Sequence, residues 1–206
     1  MVPCKHFTFA SLEKSFCQLQ KNPELYTEIQ QVLDICYENI HFVDHPMTFE
    51  FPCPLDVHCS YTLDQVLSAM GYYTLSSKPR FSEGVKYLKE KNIDLFFVTL
   101  NKSEREYSPS TMYHDYSINE VLFHWQSQSN TSVGSITGQR YISEEHPVLL
   151  FVRKYKKQQG ITAPYIFLGT AEYVRHEGSK PINIVWRLNT AMPPFLQKGS
   201  NKFTIS

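Results

Sequence analysis

Ile182-Asn183-Ile184-Val185-Trp186-Arg187-Leu188-Asn189 decides the fold class. Ile182, Ile184, Trp186 and Leu188 recur at every second position, while Asn183, Arg187 and Asn189 fall between them. Successive side chains of a strand point to opposite faces, so this period of two predicts a half-buried β-strand. Working outward, Val85–Leu88, Ile93–Leu100, Val121–Ser127, Val148–Tyr155, Tyr165–Leu168 and Glu172–His176 are also short, rich in β-branched or aromatic residues and bounded by turn formers. The connectors are too short for crossover helices. The expected architecture is therefore α+β: a small, mostly antiparallel β-barrel with an N-terminal helical attachment.

The attachment and its connector span residues 1–60, and the barrel 61–206. Ser11 can cap a helix carrying Leu12, Phe16 and Leu19. Asn22-Pro23-Glu24 supplies a cap, a proline at the first helical position and an early acid. Leu25, Ile29, Val32, Leu33, Cys36 and Ile40 then form an apolar stripe that must be covered by the following domain or by parts of a longer protein. Pro46, Pro52 and Pro54 predict an extended connector over 41–60. Thr62-Leu63-Asp64-Gln65 is a capping box, and Gly71 stands where the helix it opens should stop.

Composition removes several function classes. No apolar run approaches the ~20 residues of a membrane span, and no basic–apolar–small leader opens the chain, so the cytoplasm is the expected compartment. The five cysteines are odd in number and irregularly spaced, as expected of reduced thiols. Cys53, His58 and Cys59 lack the paired spacing and the fourth ligand of a zinc site, so no metal or other cofactor is expected. Net charge is zero, yet residues 1–60 hold three lysines against eight acids, and residues 61–206 hold seventeen Lys/Arg against twelve. From Pro147 onward nine basic residues face two acids. A basic half is what a polyanion-binding domain needs, although a solvated strand end would look the same.

The candidate site lies between Tyr107 and Tyr141. Rings alternate there with amide, imidazole, carboxylate and guanidinium groups, and each such group buried without a partner would cost ~1–3 kcal/mol. That mixture suits a pocket for a flat, polar, aromatic ligand, with faces to stack on and edges to hydrogen-bond. A polar-lined barrel core would use the same residues. If a base is extruded here, Tyr113, Tyr116 or Trp125 would sandwich it, and Asp115, Gln126 and Gln128 would read its edge. Tyr107, His114 and His124 complete the pocket set. Lys102, Arg105, Gln139, Arg140 and Tyr141 are expected along the DNA backbone.

Catalysis is not expected. Ser108 or Ser110 with His114 and Asp115 fails as a hydrolytic triad, because adjacent strand residues face opposite ways and no nucleophile elbow is present. Glu104, Glu106, Asp115, Glu144 and Glu145 are too scattered for a metal-dependent nuclease. The zinc deaminase signature and the phosphate-cradling glycine loop are missing.

Asn92-Ile93-Asp94-Leu95-Phe96-Phe97-Val98-Thr99-Leu100-Asn101-Lys102-Ser103, Tyr107 to Tyr116, Leu122-Phe123-His124-Trp125-Gln126-Ser127-Gln128 and Thr137-Gly138-Gln139-Arg140-Tyr141-Ile142 form a series with Pro164-Tyr165-Ile166-Phe167-Leu168-Gly169 and His176-Glu177-Gly178-Ser179. The series resembles the uncharacterised C-terminal domain of large bacterial superfamily-two helicases that carry a phospholipase-D-like nuclease domain. Several of those proteins look like modification-dependent (type IV) restriction enzymes. The likeness covers about residues 60–200, and Phe42-Val43-Asp44 and Cys53-Pro54-Leu55 resemble the joining segment. It implies a PUA/SRA-like barrel that recognises C5-methyl- or hydroxymethylcytosine in duplex DNA by base flipping. Its partners would be the helicase and nuclease domains of the same polypeptide. The alternative is a regulatory module that docks on the helicase-nuclease without DNA specificity.

Overall fold

The computed structural model describes residues 11–38, 51, 53–74, 76–81, 84–101, 115–143 and 146–197. The chain divides into two compact units, Met1–Val43 and Asp44–Ser206. In the first, the Ser11 hydroxyl accepts from the Lys14 amide at 3.2 Å and caps α1 (Leu12–Gln20). The Leu25 amide donates to Asn22 Oδ1 at 3.2 Å at the head of α2 (Pro23–Glu38). Both starts fall where the caps predict. No residue of α2 is buried, and Val32, Leu33 and Ile35 are each more than half exposed.

The second unit runs β1 (Ser60–Tyr61), α3 (Leu63–Ala69), β2 (Val85–Leu88), a 3-10 turn at Lys89–Lys91, β3 (Ile93–Thr99), β4 (Tyr116–Ser117), β5 (Leu122–Gln126) and α4 (Ile136–Tyr141). It continues with β6 (Val148–Arg153), β7 (Lys157–Gln158), β8 (Ile161–Thr162), β9 (Tyr165–Glu177), β10 (Asn183–Leu188) and α5 (Pro194–Gln197). The main sheet has the order β2-β3-β6-β9-β10-β5-β4, with β1 added against β9, while β7 and β8 form a separate ribbon. Among the described residues every pairing is antiparallel except β3 with β6. That parallel pair was not expected. The stretch between the two strands holds β4, β5 and α4, which is chain enough for the return.

Two sequence segments expected as separate strands are one. Gly169, at φ +86°, lies inside β9 rather than ending it. Pairing to β6 slips between Leu149 and Phe151, so the strand bends there and continues. The boundary read at residue 60 also shifts. Leu55 and Val57 are buried in a core with Val66, Leu67 and Met70 of the α3 segment, so this part of the connector belongs to the sheet domain. The predicted capping box is formed: the Thr62 amide donates to Gln65 Oε1 at 2.8 Å, and the Gln65 amide donates to Thr62 Oγ1 at 3.2 Å. Gly71 follows α3 at φ +77°.

Strands β3 and β6 are buried on both faces. Ile93, Leu95 and Phe97 join Leu149 and Phe151 under α3, while Phe96 and Val98 join Val148, Leu150 and Val152 in a second core on the other face. This second core closes by curvature. β3 and β5 lie four strand intervals apart, about 19 Å in a flat sheet. Their side chains nevertheless touch: the Phe96 and Trp125 rings stack with centroids 4.2 Å apart, and Trp186 meets Phe96 edge-on at 5.6 Å. The sheet is strongly curled. No hydrogen-bonded pairing among the described residues joins β2 to β4, so the closed barrel of the sequence reading is not observed there. None of the described helices is long and apolar enough to cross a membrane.

α4 was not foreseen, because Gly138 is a poor helix former in its middle. A Cβ at that position would overlap the Ser132 carbonyl oxygen and press on Ile182 Cδ1, so only glycine lets α4 lie this close to the preceding loop. Gly138→Ala should lower stability by about 1–3 kcal/mol, read as a fall of several degrees in the thermal midpoint. An unchanged midpoint would show that the loop yields freely.

Candidate functional site

Where the sheet curls over, β2 faces the segment from Gln128 to Tyr141, and a cavity of about 510 Å³ opens between them. That volume is within the ~300–1,000 Å³ usual for small-ligand sites. Val85 and Tyr87 form the β2 wall. Gln128, Asn130 and Thr131 come from the loop after β5, and Ser135, Thr137, Arg140 and Tyr141 from α4 and its cap. Ser135 starts α4 by accepting from the Gly138 amide at 3.0 Å, which aims Arg140 back at β2.

Arg140 is fixed from behind. Its Nε donates to Asp94 Oδ2 at 2.7 Å and its Nη2 to Asp94 Oδ1 at 3.3 Å. Asp94 is fully buried in β3, and its Oδ2 also meets His146 Nε2 at 2.8 Å. The guanidinium carbon lies 3.9 Å from the centre of the Tyr87 ring, so one cation is held by a carboxylate in its plane and an aromatic face beneath it. Burial works against the charge of Arg140, but the hydrogen bond and the charge of Asp94 outweigh it and hold the pKa above its ordinary value. Gln128 is positioned as firmly. Its Oε1 accepts from Thr131 Oγ1 at 3.2 Å and from the Tyr141 hydroxyl at 3.4 Å, which leaves the amide N–H groups to donate.

The structure brings together Gln128, Arg140 and Tyr141 of the residues singled out in the sequence. Trp125 stands behind them, nearly fully buried and edge-on to Tyr141 at 5.2 Å, as a core ring rather than a cavity wall. Tyr116, His124 and Gln126 lie on the opposite face of the sheet, since β5 sends alternate side chains to alternate sides. There Tyr116 stacks on His124 at 4.6 Å and 14°, and the Gln126 amide donates to Asn183 Oδ1 at 3.0 Å. The buried Asp115 carboxylate accepts from the Gln126 backbone amide at 3.0 Å. The expected convergence of this set on one cavity is therefore not observed. Gln139 is exposed and donates to the Val133 carbonyl at 2.6 Å. Tyr107, Tyr113, His114, Lys102 and Arg105 lie outside the described residues.

Tyr87, Asn130, Thr131, Ser135 and Thr137 were missed, as were Asp94 and His146 behind them. One signal was available. Asp94 interrupts the apolar run Ile93 to Val98, and a carboxylate in a core strand needs a cationic or hydrogen-bonding partner. No group of three His, Cys, Asp or Glu side chains that could hold a metal ion occurs among the described residues.

A family model described as "Domain of unknown function (DUF3427)" matches residues 55–197, roughly seven-tenths of the chain. It takes in every described cavity residue and the buried Asp94. No curated protein matches the chain.

A double-mutant cycle tests the anchor. Asp94→Asn alone should cost about 3 kcal/mol or more in urea unfolding, because Arg140 loses its buried counter-charge. In the Arg140→Gln background the same change should cost at least about 1 kcal/mol less. Additivity of the two changes would mean that the carboxylate and guanidinium are not coupled in solution.

Proposed function

This chain belongs to the DUF3427 family, and from that premise we propose that it is a non-catalytic DNA-recognition module of a modification-dependent restriction system. On this reading it binds C5-methyl- or hydroxymethylcytosine, flipped out of duplex DNA into the cavity at the curl of its PUA/SRA-like sheet. The helicase and nuclease domains that would act on the result belong to the same full-length polypeptide.

One observation carries the reading: the cavity joins an aromatic wall, a guanidinium and an amide whose donors are held by buried partners. Cytosine presents adjacent acceptors at O2 and N3, which suit the donor-rich edge made by Arg140 and Gln128. Tyr87 or Tyr141 supplies a ring face, and Val85 an apolar wall for a substituent on C5. The energetics are compatible. Flipping costs a few kcal/mol, and each ring–base contact returns ~1–3 kcal/mol. A buried methyl adds only ~0.8 kcal/mol, about fourfold in affinity, so discrimination requires a fitted niche.

This reading reassigns Arg140. The sequence put it on the DNA backbone, yet its charge is shared with Asp94, which suits an edge donor better than a phosphate anchor.

A second reading rests on α2, whose apolar side chains Leu25, Ile29, Val32 and Leu33 are exposed. A protein-docking module would use that stripe and show no DNA preference.

Anisotropy titrations with duplexes identical except for cytosine, methylcytosine or hydroxymethylcytosine separate the two. The reader binds one modified duplex at least about fourfold more tightly; equal affinity for all three removes the claim. Tyr87→Ala and Gln128→Ala should each bring the three affinities within twofold of one another without abolishing cooperative unfolding. Retained preference in both folded variants would place the recognition elsewhere.

A further inference from the structure

A nucleotide that enters the cavity leaves its sugar–phosphate chain outside, so the phosphates on either side of it must cross the cavity mouth. Arg140 cannot serve as their anchor while its charge is bonded to Asp94. The two rims of the mouth carry other donors.

One rim belongs to β2 and the 3-10 turn that follows it. The Tyr87 hydroxyl, in the cavity wall, donates to Asn92 Oδ1 at 3.1 Å and ties the turn to the wall. The turn holds Lys89 and Lys91 on either side of Glu90. Lys89 is exposed, and Lys91 Nζ lies 4.7 Å from the centre of the Phe51 ring, which steadies its stem. Neither lysine forms an ion pair among the described residues. The strand edge adds to them. The Phe97 amide donates to the Gly84 carbonyl, so along this antiparallel ladder Lys86 and Leu88 bond to β3, while Val85 and Tyr87 turn their N–H groups away from it. No strand among the described residues pairs with that edge. Backbone N–H groups beside lysines are ordinary phosphate donors.

The opposite rim is the loop after β5, backed by the turn between β9 and β10. The Val133 amide donates to Ser179 Oγ at 3.2 Å, and the Lys180 amide donates at 3.2 Å to the carbonyl of Thr131, a cavity residue. The Ile182 amide donates to Ser127 Oγ at 2.9 Å, so the turn cannot drift from the loop. Lys180 is exposed and forms no ion pair among the described residues. Its φ is +64°, in the left-handed region that favours glycine. A lysine held there is strained, and such strain concentrates at functional positions.

Cations on two opposed rims suit neither a flat anionic surface nor a lone acidic group. They suit a chain of anions that crosses the mouth with a planar group hanging between two of them. A phosphodiester strand with one base extruded is such a chain.

We infer that Lys89 and Lys91, with the Val85 and Tyr87 amides, and Lys180 from the other rim bracket the cavity and hold the phosphates flanking the flipped nucleotide. The inference rests on the DNA-reading function and supplies the backbone anchor that the cavity itself lacks.

The test titrates the full chain, a Lys89→Gln/Lys91→Gln variant, Lys180→Gly and the triple combination on modified and unmodified duplexes across a salt series. Each variant should bind both duplexes more weakly, with the salt slope flatter by about one per lysine removed and the preference between duplexes unchanged. Lys180→Gly removes the cation and suits the backbone, so its thermal midpoint should hold or rise while its affinity falls. Arginine at positions 89 and 91 should preserve affinity. Lys157→Gln takes one charge from β7, which lines no part of the cavity, and should bind as the wild type does. Neutral methylphosphonate linkages directly 5′ and 3′ of the modified cytosine should weaken the wild type but leave the triple variant nearly unaffected. Wild-type affinity and slope in the folded triple variant, or an equal loss in Lys157→Gln, would overturn the bracket while leaving a modified-base preference standing. Polyglutamate that displaces the duplex at matched charge would overturn it in favour of an acidic peptide. Equal affinity of the wild type for all duplexes would remove the reader function, and a slope flattened only in the rim variants would then still support the bracket. No duplex binding by the wild type would end both.

Discussion

A carboxylate sealed in a core strand dictates the geometry of this domain. Asp94 is fully buried, and an unpaired buried charge would cost several kcal/mol. It is satisfied by Arg140 from α4 and His146 from the segment before β6. Those bonds hold α4 and β3 together across the curl. The Phe96–Trp125 stack closes the same curl from inside, but apolar rings are tolerant of small shifts. A bidentate ion pair is not, and it sets where the cavity wall stands.

The same arrangement explains why an arginine in a mostly polar cavity need not signal phosphate. A guanidinium bonded to a carboxylate and resting on a ring presents fixed donors with its charge largely compensated. It is better suited to reading acceptors on a neutral planar group than to gripping a polyanion.

The stretch from Tyr107 to Tyr141 shows how far a linear reading reaches. It drew attention to Gln128 for a pocket and to Arg140 and Tyr141 for the DNA backbone, and the three line one cavity. It erred in treating Tyr116, His124, Trp125 and Gln126 as one set, because alternation along β5 divides them between an apolar core and the outer face. It passed over Tyr87, whose contribution comes from a strand more than forty positions before Gln128 and becomes visible only when the sheet folds over. α4 was hidden for a related reason: Gly138 argues against a helix locally and is required there by contact with the Ser132 carbonyl.

What the sequence determined by itself were features that depend on neighbours in the chain: the caps at Ser11, Asn22 and Thr62, the stop at Gly71, the alternation of β10, and the β-branched and aromatic runs of β2, β3, β5 and β6. Each reflects hydrogen bonds, alternation or residue preference within a few positions, so local chemistry suffices. The parallel β3–β6 pair, the unbroken β9, the curl and the cavity were decided only by tertiary structure. They depend on which distant surfaces could be buried together, and on the partners that one carboxylate required once they were.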